Sequence, residues 1–73
     1  MAEIDQRLHI GLMIHRNRAA IVEVDAGLAG VARLLPGATV EKRQELHRIA
    51  LGLRRTRRGL RILGWILRCL DTR

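Results

Sequence analysis

Two apolar stripes run through the chain with the same period. From Ile10 the first returns in alternating steps of four and three through Ile14, Asn17, Ile21, Val24, Leu28, Val31 and Leu35. The second runs through Leu46, Ile49, Leu53, Thr56, Leu60, Leu63, Leu67 and Leu70. A repeat of 3.5 residues is the seam of packed helices and does not fit the period of two that strands need. Between the stripes stands the only proline, in Leu34-Leu35-Pro36-Gly37-Ala38-Thr39. Pro-Gly signals a turn, and Thr39 can cap a new helix whose first turn carries Glu41. The pattern predicts one domain over residues 1–73: helix 1 over about 3–34, a turn at 35–39 and helix 2 over about 40–71. The fold class is all-α, an antiparallel two-helix hairpin hinged at Pro36-Gly37.

A hairpin folded tightly at that hinge has a definite register. It sets Leu28 opposite Leu46, Ile21 opposite Leu53, Ile14 opposite Leu60 and Ile10 beside Leu63. Asn17 then meets Thr56, so the single polar member of each stripe faces the other, as a buried polar pair that fixes register. Gly52 and Gly59 flank the second stripe while Ala20 and Gly27 flank the first. In this register these small residues let the two backbones approach.

Helix 1 carries a second apolar line on its outer side: Leu8, Leu12, His15, Ala19, Val22, Ala26 and Ala29. A helix apolar on two sides needs cover on both. A second copy of helix 1 is the simplest cover, giving a homodimeric four-helix bundle with helix 2 outermost. Ile62, Trp65 and Cys69, with Ile66, stand off the seam of helix 2 and form a further apolar patch for the dimer or for another protein.

Size supports self-association. A chain of 73 residues buries only roughly 60% of its unfolded surface and usually needs a staple. One cysteine, Cys69, makes no internal disulfide, which also fits a reducing, cytoplasmic setting. Ile10 to Ile14 is too short for the apolar core of a signal peptide, and no run reaches the roughly 18 residues of a membrane span.

Charge then turns attention to partners. The net charge is +7, and 13 of the 14 basic residues are arginine. A GC-rich coding sequence produces the same bias with no functional content. The distribution, however, is uneven: Arg54, Arg55, Arg57, Arg58 and Arg61 fall within eight residues, and Arg54 to Leu70 contains no acid. The tight-hinge register brings Arg16 and Arg18 to the same height, ringing the hairpin with seven guanidiniums. Arginine forks suit phosphate oxygens, and such a belt supplies affinity independent of base sequence. No aromatic residue interleaves the belt, so it points to backbone or shape recognition of structured RNA or duplex DNA. The alternatives are a merely solvated surface, an acidic protein partner met by a small inhibitor, adaptor or structural oligomer, and an anionic membrane. Membrane binding is disfavoured, because Leu53, Thr56, Leu60 and Leu63 already serve the seam.

Nothing points to an enzyme, a cofactor or a metal. His9, His15, His47 and Cys69 do not converge in the hairpin, so they provide neither ligands for a metal nor a thiolate–imidazole pair. Asp5-Gln6-Arg7-Leu8 through Arg16, with Val22-Glu23-Val24, resembles the opening helix of the all-helical chorismate mutases. The distance from Asp5 to Arg16 departs by one residue from that family's pattern, with His15 where the arginine belongs. No catalytic residue is assigned on it.

Overall fold

The computed structural model describes the backbone of residues 2–72 and the side chains of residues 5–72. Helix α1 spans Ala2–Leu34, a 3₁₀ turn follows at Leu35–Gly37, and α2 spans Val40–Asp71. The helices pack antiparallel into a rod of 58 × 14 × 14 Å. The start of α2 is set locally, as its sequence requires. Thr39 is extended (φ −67°, ψ 167°), and its hydroxyl accepts the Lys42 N–H at 3.3 Å, with Glu41 in the first turn. At the other end, Thr72 donates its N–H to the Arg68 carbonyl at 3.2 Å and its hydroxyl to the Cys69 carbonyl at 3.0 Å.

The register differs from the one a tight hinge implies. Asn17 donates its side-chain N–H to the Leu60 carbonyl at 2.8 Å and lies against Gly64. Gly27 packs on Leu53, and Asp25 pairs with Arg57. Thr56, the expected partner of Asn17, is exposed and donates to its own helix, at the Gly52 carbonyl. The cause is the turn. Pro36 enters the 3₁₀ segment near its start, and no described glycine, Gly37 included, has a positive φ. Leu35–Gly37 therefore carries the chain onward, and the reversal comes at Ala38 to Val40. Moving the apex by about three and a half residues changes every cross-helix pair by twice that, which is one heptad. A slide of one heptad still lays apolar stripe on apolar stripe, so both registers satisfy the pattern.

The seam face of α2 is also rotated. Leu46, Leu53, Leu60 and Leu67 serve it as expected, but Ala50, Arg57 and Gly64 replace Ile49, Thr56 and Leu63. Ile49, Leu63 and Leu70 are exposed. Small side chains at 50 and 64 bring the helices together, whereas a Cβ on Gly52 or Gly59 would meet nothing within 4 Å. Gly27 of α1 makes the close contact expected of it, against Leu53, but on α2 the close approach lies at Gly64 and not at Gly52 or Gly59.

Few residues are fully enclosed. Among the described residues, the buried apolar side chains are Val31, Ala50 and Leu67, and Asn17 is the buried polar one. Leu8, Leu12, Val22, Ile62, Trp65 and Ile66 are all exposed. Two 33- and 32-residue helices side by side present too much perimeter for one shared seam to cover.

Candidate functional site

Basic side chains gather along one edge of α2. His47, Arg54, Arg61 and Arg68 recur every seven residues, so they form one row beside the seam that drifts only about 20° per step around the helix. The row covers about 30 Å. Arg54, Arg57, Arg58, Arg61 and Ile62 line an open hollow of about 280 Å³. This hollow lies on α2 alone, and two hollows between the helices share its arginines on either side. Toward the turn, His47, Arg54 and Arg57 face Leu28, Val31, Ala32 and Leu35 of α1. Toward the free ends, Arg61, Gly64 and Arg68 meet Ile14, Asn17, Arg18 and Ile21.

Two of these arginines are held in place, and a third closes the groove from α1. Arg57 occupies a seam position, is only about one-third exposed, and pairs with Asp25 at 3.5 Å. Arg68 donates its Nε–H to the Gly64 carbonyl at 3.3 Å. Arg18 closes the same hollow from α1, so Arg18, Arg61 and Arg68 surround the buried Asn17 amide. Among the described residues, Asp25 is the acid ion-paired to this group, and Arg54, Arg61 and Arg68 carry no such pair.

The belt expected from the sequence is thus a groove on one side of the hairpin rather than a ring around it. Arg54, Arg57, Arg58 and Arg61 remain together and Arg18 joins them. Arg16 does not: two positions from Arg18, it lies about 160° around the helix, exposed on the other side. Arg55 points away from α1 and lines none of these hollows. Arg68 and His47 were missed, although their signal is in the sequence: the four-fold, seven-residue recurrence from 47 to 68. Trp65 is 64% exposed and stands four residues after Arg61 and three before Arg68. An aromatic face therefore does lie beside the far end of the row.

The outer line of α1, from Leu8 to Ala29, is exposed throughout, as are Ile62, Trp65 and Cys69. A further exposed line, Ile49, Gly52, Thr56, Gly59, Leu63, Ile66 and Leu70, follows the edge of α2 away from the basic row. Among the described residues, no group of three or more His, Cys, Asp or Glu is placed to hold a metal ion, and no helix is long and apolar enough to cross a membrane. Comparison with protein-family models, with curated proteins and with solved structures found no match to this chain.

Proposed function

We propose that the protein is a cytoplasmic, self-associating helical hairpin that binds the phosphate backbone of nucleic acid, structured RNA or duplex DNA, along the basic groove of α2. The observation that carries this reading is the row of His47, Arg54, Arg61 and Arg68, supplemented by Arg57 and Arg18, on a single rigid edge. Arg54, Arg61 and Arg68, at intervals of about 10 Å over about 20 Å, suit a polymer of charges better than a small anion, which would need them converging on one point. The helix fixes the backbone of the row, and the planar arginine fork loses less freedom per hydrogen bond than a lysine would when phosphates arrive. Pairing of two hairpins into four helices is supported by the apolar lines that each leaves open.

Fluorescence anisotropy of labelled duplex DNA and hairpin RNA, titrated across several salt concentrations, tests it. The expected result is submicromolar binding that weakens steadily with salt and favours one nucleic acid. Binding that is indiscriminate and gone by physiological salt would overturn the reading and move the search to an acidic protein partner.

A further inference from the structure

The hairpin exposes 6219 Å², whereas a compact monomer of 8.3 kDa exposes about 4,600 Å². The surplus, roughly 1,600 Å² per chain, is of the size that one partner buries in an obligate dimer. The outer line of α1 contributes to it, with Leu8 and Val22 each about two-thirds exposed. What covers that line can be read from the residues on either side of it. Arg16 and Glu23 border one flank, and Arg18 and Asp25 border the other; all four are exposed. On both flanks the base precedes the acid by seven residues. A second copy of α1 laid antiparallel meets this order in reverse.

We infer that two hairpins pair through antiparallel α1 helices about a two-fold axis between Ala19 and Val22, each Arg16 facing Glu23 of its partner and each Arg18 facing Asp25. The same offset gives the three central layers of the line one small residue each, with Leu8 opposite Arg33 beyond them. Leu12 meets Ala29, His15 meets Ala26, and Ala19 meets Val22, each from the opposite copy. Position and charge agree in one register, which is how flanking residues specify orientation in paired helices. Arg16 and Glu23 form no ion pair within the chain's described residues, and the pairing supplies one. Asp25, held at 3.5 Å by Arg57 of its own chain, becomes the link between the groove and the interface. Helix α2 stays outermost, with the basic row open on each side.

This rests on the self-association proposed above and names its surface. Two charge-reversed chains test it by sedimentation velocity, with circular dichroism as the check on folding. Arg16→Glu with Arg18→Glu makes both flanks acidic, and Glu23→Arg with Asp25→Arg makes both basic. Each chain alone is expected to dimerise at least about tenfold more weakly than the wild type. An equimolar mixture of the two is expected to recover a folded heterodimer. Either chain dimerising alone like the wild type would overturn the interface and leave self-association standing, through the Ile49–Leu70 line of α2. A wild type that stays a folded monomer at micromolar concentration would overturn both. Orientation is read from spin labels on Gly30→Cys in a Cys69→Ser background. The antiparallel pair holds them about 30 Å apart, and a distance near one helix diameter would overturn it.

Discussion

Asn17 on α1 is seated against Gly64 on α2 so closely that a β-carbon at position 64 would stand 2.6 Å from its amide oxygen. The same glycine leaves the Leu60 carbonyl, one turn earlier, uncovered, and Asn17 donates to it at 2.8 Å. A carbonyl already serving its own helix accepts a second bond there, because the residue four positions later has no side chain to shield it. This contact fixes the register of the hairpin and forms the floor beneath Arg18, Arg61 and Arg68.

Gly64→Ala should therefore destabilise the protein despite the better helix former. The gain in helix propensity is about 1 kcal/mol, and stranding the buried amide costs about 1–3 kcal/mol. A net loss of about 1 kcal/mol is expected in chemical denaturation at fixed protein concentration. In an Asn17→Ala background the same substitution should turn neutral or stabilising. A loss that persists without Asn17 would place its cause elsewhere.

Ala50 and Leu51 give the sharpest test of the rotated seam. Ala50 is 8% exposed and Leu51 is 50% exposed. Ala50→Trp forces a bulky ring between the closely packed helices and should destabilise the fold by about 1–3 kcal/mol, while Leu51→Asp should keep full helicity. Circular dichroism melts of the two variants compare them directly, and equal behaviour would contradict the observed face.

Arg57 should contribute little to stability through its charge. Its pair with Asp25 is 3.5 Å long and both side chains are more than one-third solvated or close to it. Solvent screening holds such pairs to about 1 kcal/mol or less. Arg57→Met keeps the apolar stem at a seam position and should shift the unfolding free energy by no more than about 1 kcal/mol in either direction. Urea titration of the two proteins measures it.

The groove predicts which arginines set the salt dependence of nucleic-acid binding. Each phosphate contact removed should lower the slope of log affinity against log salt by about 0.9 on duplex DNA. Arg54→Gln, Arg61→Gln and Arg68→Gln should each do so, with circular dichroism unchanged. Arg55→Gln, directed away from the groove, should leave the slope as it was. If Arg55 counts as much as Arg61, net charge rather than the groove governs binding.

Much of this arrangement was legible in the residues. The 3.5-residue period gave helices, Thr39 gave the cap, and Asn17 was read as a buried polar residue on the seam. The concentration of arginine in α2 was plain as well, but its sidedness was not. Arg16 and Arg18 flank the seam of α1 alike, and the rotated face of α2 decides between them, so that one borders the groove and the other lies behind it. Arg57 was read as one of seven guanidiniums ringing the hairpin, although its place is within the seam.

The sequence by itself determined that there are two helices, where they begin and end, the inward stripe of α1, and the inward place of Leu46, Leu53, Leu60 and Leu67 on α2. Only the tertiary structure decided which residues meet. A heptad stripe slid by seven residues presents the same apolar pattern, so periodicity cannot distinguish two registers one heptad apart. The difference was decided by the 3₁₀ path through Pro36 and by the fit of Asn17 over Gly64, which depend on backbone direction and atomic contact rather than on spacing.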